Sequence, residues 1–209
     1  MGMNSIFRNQ GGDYIASYSY DEIISATGYI TLYLSHDSAI APFRFYTETV
    51  YLAGSYSCTV GSTTDQSHDM DFDLAINKPL NIRGKAYINI PCYISASTGG
   101  VDMHAEVTIK SWDGASETII ATGSSLQSNY ASGQRQMTVI VDVPLTTIKA
   151  GETLRVTITV DQDRNANGDN SGTLYVAYDP GNSKLGTPLS SFTTIDTNMI
   201  VWLPTKINE

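Results

Sequence analysis

Five side-chain oxygen donors stand at alternate positions late in the chain: Asp161, Asp163, Asn165, Asn167 and Asp169. Calcium takes about six to eight oxygen ligands, so the run D-x-D-x-N-x-N-G-D is a candidate calcium loop. It is not an EF-hand. That motif has a glycine at about position 6 and a bidentate glutamate at about 12, between helices. Here Gly168 and Gly172 occupy positions 8 and 12. Asn and Asp also bond their own backbone in turns and tolerate positive φ, so the same run suits the polar tip of a β-hairpin. The hairpin is the expected arrangement, with Leu154–Val160 paired against Leu174–Tyr178. A non-helical calcium loop is the alternative, and otherwise no cofactor is expected.

Other chemistry finds less support in residue types and spacing. Asp71 and Asp73 are i, i+2 neighbours on one strand face, with Asp69 before them, which raises both cation binding and a glycosidase pair. A glycosidase needs its two carboxyls about 5–9.5 Å apart across a cleft. A solvated strand start explains the three aspartates more simply. None of His36, His68 and His104 has a cysteine or second histidine at a zinc-ligand spacing. The alternation around His104 turns its side chain outward. There is no G-x-S-x-G elbow, and no strand–helix alternation for a P-loop or dinucleotide fingerprint. From the residues, no enzyme is expected.

What positions these residues is a series of strands. Leu154, Val156, Ile158 and Val160 alternate with Arg155, Thr157 and Thr159. The same period of two runs through Phe72-Leu74-Ile76, Ile88-Ile90-Cys92-Ile94, Ala105-Val107-Ile109, Met137-Val139-Val141-Val143, Leu174-Val176-Tyr178 and Met199-Val201-Leu203. A short strand near Glu117–Ala121 completes about eight between Asp71 and Pro204. Turns are expected at Ser97–Gly100, Trp112–Gly114, Ala150–Gly151 and Pro180–Asn182. Pro144 is expected to end its strand by removing a ladder donor. The fold class is therefore all-β: a two-sheet antiparallel sandwich, expected as an eight-stranded jelly roll. The Cys…Trp…Cys order of an immunoglobulin domain is missing.

Residues 1–70 are set apart from the sandwich of residues 71–209. Met1–Asp13 is polar, and two β-rich stretches follow, Tyr29–Leu34 and Phe43–Leu52. Eight of the chain's thirteen tyrosines fall before residue 60. These strands either extend the sandwich or form an arm that packs on a neighbouring subunit, a role that suits tyrosine's large ring and wet hydroxyl.

Composition bounds the partners. In 209 residues the formal net charge is −9, and the 12 basic residues form no stripe, which argues against phosphate neutralisation and so against nucleic acid. No apolar run is long enough to cross a bilayer. The N-terminus lacks the apolar core of a signal peptide, and Met3–Ile6 fits a myristoylation site poorly. Cys58 and Cys92 read as buried thiols in a reducing compartment rather than a disulfide.

Three segments carry a resemblance: KAGETLRVTITV (Lys149 to Val160), GTLYVAYDPGN (Gly172 to Asn182) and MIVWLPTKI (Met199 to Ile207). Over Leu145 to Ile207 the chain resembles uncharacterised virion structural proteins of tailed bacteriophages, with Thr205 standing where that group has an aromatic. The resemblance implies a capsid decoration, accessory or head–tail protein, homo-oligomeric and acting by contacts with copies of itself and with major capsid or other virion proteins. It would be assembled in the host cytoplasm. The alternative is a carbohydrate-binding sandwich, calcium-assisted or not, in host recognition. That alternative needs an exposed aromatic platform, for which Tyr87, Tyr93 and Tyr175 are outward-facing candidates.

Overall fold

A computed structural model describes residues 27–37, 41–46, 55–60, 66–96, 101–126, 128–130, 133–163, 172–178 and 198–206. Twelve strands and no helix occur among them. The first layer is built on β5 (Leu80–Ala96), the longest strand at 17 residues. On one side β5 pairs along its length with β9 (Gly133–Ile148). On the other it pairs first with β12 (Ile200–Lys206) and then with β11 (Gly172–Ala177). β3 (Ser55–Val60) lies outside β11, and β1 (Thr27–Asp37) outside β12.

The second layer is β4 (Gln66–Ala75), β10 (Thr153–Asp163), β6 (Val101–Trp112) and β7 (Glu117–Ser124), with β8 (Ser128–Tyr130) against the start of β6. β2 (Ala41–Tyr46) joins the layers. It is antiparallel to β1 and meets β4 through one parallel pair, Arg44 with Asp73. Hydrogen bonding therefore runs through one path that folds over into an all-β sandwich. At the far seam β7 lies against β9. A Cβ on Gly123 would stand 2.5 Å from the Ile140 carbonyl oxygen, so only glycine lets the two backbones come this close.

Alternation decides what faces inward. Leu154, Val156, Ile158 and Val160 are fully buried, as are Ala105, Val107, Ile109, Val139, Val141, Ile88, Ile90 and Cys92. They form one core with Leu32 and Leu34 of β1, Met199 and Val201. Each such aliphatic side chain contributes about 1.5–3 kcal/mol by leaving water. Phe45 and Phe72 cross the gap between layers with ring centroids 5.8 Å apart. Leu74, on the same strand face as Phe72, is only partly buried, because it lies near the exposed end of β4. Burial pushes the Cys92 thiol up to about 12.

The stretch from Asp71 to Pro204, expected to hold eight strands, holds nine among the described residues counting β4, because the three-residue β8 is added. The residues set apart before position 70 supply β1, β2 and β3 to the same sheet path. Residues 1–26 lie outside the described residues.

Two local expectations are corrected. The strand carrying Pro144 does not end there, since β9 continues to Ile148. Its ladder with β5 steps from Gly84–Val143 to Ile82–Thr146, so Pro144 sits in a bulge where no donor is required of it. The hairpin between Leu154–Val160 and Leu174–Tyr178 does not form. Both edges of β10 are occupied, by β4 and β6, and β11 lies in the other layer between β3 and β5. β10 and β11 thus belong to different layers. Alternation says which face of a strand is buried and nothing about which strand lies beside it.

The turn at Trp112–Gly114 is present: the Asp113 carboxylate accepts from the Ala115 and Ser116 amides at 2.8 and 2.7 Å. So is that at Ala150–Gly151, where Gly151 has φ +90°. The turns at Ser97–Gly100 and Pro180–Asn182 lie outside the described residues.

Candidate functional site

The outward faces of the two layers differ in chemistry. On the second layer, register places polar residues in rows across β4, β10 and β6: Asp73–Arg155–Lys110, Asp71–Thr157–Thr108 and Asp69–Thr159–Glu106. β7 extends the last two rows with Thr122 and Ser124. Each aspartate is engaged by its neighbour. Thr157 Oγ1 donates to Asp71 Oδ1 at 2.6 Å and Thr159 Oγ1 to Asp69 Oδ1 at 2.7 Å.

Arg155 is the hub of this face. Its Nε and Nη2 donate to the two oxygens of Asp73 at 2.7 and 2.6 Å, and its Nη1 donates to Glu117. Its guanidinium carbon lies 4.6 Å from the Trp112 ring centroid. Lys110 Nζ donates to the other Glu117 oxygen at 2.9 Å. The Asp73 hydrogen bonds raise the Arg155 pKa above its ordinary value, against a smaller opposing effect of burial. The Lys110 and then the Arg155 hydrogen bonds hold the Glu117 carboxyl below the ordinary carboxylate range. Asp69, Asp71 and Asp73 therefore tie β4 to β10 rather than converge on a cleft. Sequence reasoning missed the Arg155 cluster, although Arg155 is the one cation among the outward residues of a threonine- and aspartate-bearing strand, which signals it.

His104 and Asp161 are cross-strand partners with Nε2–Oδ2 at 3.2 Å, and the His104 side chain, expected outward, is 27% exposed. The row continues to Ser67 on β4. A hydroxyl–imidazole–carboxylate relay needs the imidazole in the middle. Here the carboxylate is in the middle, and Ser67 lies two strand spacings, about 10 Å, from His104 in backbone register.

Of the candidate calcium ligands, Asp161 lies on β10 beside His104, and the Asp163 backbone is opposite Asp102 at the strand's end. Asn165, Asn167 and Asp169 lie outside the described residues. No cluster of three or more His, Cys, Asp or Glu able to hold a metal occurs among the described residues.

The first layer presents aromatic rings. Tyr87, Tyr93 and Tyr175 are half-buried on its outward face, as the sequence suggests. The structure adds Tyr29, Tyr33, Trp202 and Ile140, the last 49% exposed. The row through Tyr87 reads Ile140–Tyr87–Trp202–Thr31 across β9, β5, β12 and β1. Tyr29 and Tyr87 have centroids 6.2 Å apart, and Tyr93 and Tyr175, opposite each other on β5 and β11, 5.9 Å. Between the two groups lies Asn89, whose Oδ1 accepts from Thr138 Oγ1 at 3.0 Å. From Tyr87 to Tyr93 and across to Ile140, Trp202 and Tyr33, the described outward side chains include no charged residue. The signal for Trp202 was available, since it alternates with the buried Val201 and Leu203.

No protein-family model matches the sequence, and neither does any curated protein. Among solved structures, the chain is similar to a CocE/NonD family hydrolase from Staphylococcus aureus, at TM-score 0.57 and 12% identity, covering 87% of this chain and 37% of that one. It is similar at TM-score 0.57 and 11% identity to an aminopeptidase from a marine sediment archaeon, Thaumarchaeota archaeon, again covering 87% and 37%. A structure of infectious bursal disease virus, Gx strain, matches at TM-score 0.29 and 12% identity, over 83% of this chain and 41% of that one, which is too low to carry an argument. The likeness is one of fold, and the chain spans little more than a third of the hydrolases. It nevertheless corrects the expectation of no enzyme, since solved structures that share this fold are CocE/NonD family hydrolases and an aminopeptidase. Its sandwich is one that hydrolase chains contain, and strand alternation alone could not reveal this, because the same alternation serves any sandwich.

Proposed function

We propose that the chain is a binding component of a tailed-phage virion, working through the outward face of the β9–β5–β12–β1 layer. The observation that carries this reading is the segregation of charge. The chain has a formal net charge of −9, and the outward face of its second layer is dense in aspartate, glutamate, lysine and arginine. The other face holds Tyr29, Tyr33, Tyr87, Tyr93, Tyr175 and Trp202 around an uncharged centre. Half-exposed aromatics with neighbouring amides and hydroxyls suit non-covalent recognition, where rings supply contact area at little entropic cost. The resemblance over Leu145 to Ile207 supports the virion setting. In the hydrolases that share the fold, the matched sandwich accompanies a larger remainder of chain, which agrees with a role as a module of a bigger assembly.

The test is attachment. Purified chain, wild type or altered, is added to particles and to the cells they infect. Trp202→Ala and Ile140→Asp are expected to weaken attachment to one of the two, while Thr122→Ala on the opposite face leaves both unchanged. Attachment unaffected by either aromatic-face change overturns the reading.

A further inference from the structure

Resting on that reading of the aromatic face, we infer that its ligand is a neutral polysaccharide chain lying along β5. Sugar rings stack on Tyr87 and Trp202 at one end and on the Tyr93–Tyr175 pair at the other. Tyr87 and Tyr93 are on the same side of one uninterrupted stretch of ladder, since the register with β9 is continuous from Gly84 to Ile94. Six residues of strand separate them by about 20 Å, the length of a short oligosaccharide. A pyranose has an apolar face of C–H groups and a rim of hydroxyls, and the protein surface alternates in the same way. Between the rings stand Asn89, Thr138 and the exposed Gln136. Asn89 accepts from Thr138 through Oδ1, which leaves its amide nitrogen as a donor.

The lack of charge selects among occupants. An anionic glycan would have to approach a chain of formal net charge −9 with no described cation on the outward face of this stretch, since Arg135, opposite Cys92, has the inward parity of Met137. A second copy or another protein would favour one continuous apolar centre with a charged rim. Here Asn89, Thr138 and Gln136 stand with the buried Pro91 between the aromatic groups. The described charged residues of this layer lie toward its ends, at Arg83, Lys206 and the Lys85–Asp142 pair joined at 2.7 Å, or share the inward parity of Met137, as Arg135 does.

The experiment is affinity electrophoresis of the full chain in gels containing a soluble β-glucan, an α-mannan or a galactan, with alginate as the anionic comparison. At least one neutral polymer is expected to retard the protein, equally at low and high salt. Tyr87→Ala and Tyr93→Ala should each weaken retardation about tenfold or more, whereas Tyr87→Phe, which keeps the ring, should retain it. Melting curves recorded on each variant separate lost binding from lost folding. Retardation by no neutral polymer, retardation by alginate alone, or wild-type behaviour of both alanine variants overturns the inference. Impaired attachment of Trp202→Ala to particles or cells with no retardation by any neutral polymer removes the glycan and leaves the binding face standing. Unimpaired attachment together with no retardation removes both.

Discussion

Arg155 and Asp73 are joined across β10 and β4 by two parallel hydrogen bonds, Nε to Oδ1 and Nη2 to Oδ2, at 2.7 and 2.6 Å. The Arg155 side chain is only 16% exposed, so this fork is shielded in a way that surface ion pairs are not. Lysine cannot reproduce both bonds or the stacking on Trp112. Arg155→Lys is expected to lower stability by about 1–3 kcal/mol in urea unfolding. The effect should be strongly non-additive with Asp73→Asn, because both changes break the same pair. Additive losses would show that the fork contributes nothing of its own.

Glu117 links this cluster to pH. Its folded carboxyl is held below the ordinary value of 4.5 by Lys110 and then Arg155. A depressed folded pKa means that the unfolded chain binds the proton more readily. Its contribution is therefore complete above the ordinary carboxylate value and fades as pH falls through the folded one. Stability measured down an acid titration should fall less steeply in Glu117→Gln than in the wild type. Identical slopes would mean that the two hydrogen bonds are not made in solution.

The faces of the strands were legible in the sequence, and their partners were not. Leu154 to Val160 could be turned inward from alternation alone, as could Met137 to Val143. Nothing local indicated that β10 lies between β4 and β6, because pairing depends on contacts between residues such as Asp73 and Arg155, 82 positions apart. The hairpin expected around Asp161–Asp169 failed for that reason. The aromatic face was half legible. Tyr87, Tyr93 and Tyr175 followed from parity, whereas Tyr29 joined them only when β1 proved to lie beside β12.

At the seam of the sandwich, Gly123→Ala should be costly although alanine is small. Its Cβ would meet the Ile140 carbonyl oxygen at 2.5 Å, and that atom is backbone. Separating β7 from β9 should cost about 1–3 kcal/mol, as overpacking does elsewhere. Ser124→Ala, next in the strand and exposed, should stay within about 0.5 kcal/mol. Equal melting temperatures for the two variants would count against the close approach.

β1 supplies Leu32 and Leu34, both fully buried, and pairs with β12 and β2. Removing residues 1–60 strips that strand from the first layer and exposes the edge of β12. The shortened chain is expected to be insoluble or to lack cooperative unfolding by circular dichroism. The single change Leu32→Ala should cost about 2–5 kcal/mol. A shortened chain that melts cooperatively near the wild-type temperature would make β1 dispensable.

Asp161, the first of the candidate calcium ligands, is already engaged on the sheet. Asp161 sits beside His104, whereas Asp163 is two residues further along β10, opposite Asp102. Asp161 would have to leave His104 to serve as a ligand. Chelation with EDTA is therefore expected to leave the melting temperature unchanged, and Asp161→Asn to cost only the His104 interaction, about 0.2–1 kcal/mol. A bound ion at about 100 times its dissociation constant would instead add about 2.7 kcal/mol. It would appear as a rise of several degrees with millimolar calcium. Such a rise, abolished by Asp163→Asn and retained in Asp161→Asn, would assign the metal to the segment after β10 and make the crossing between layers a calcium-ordered element.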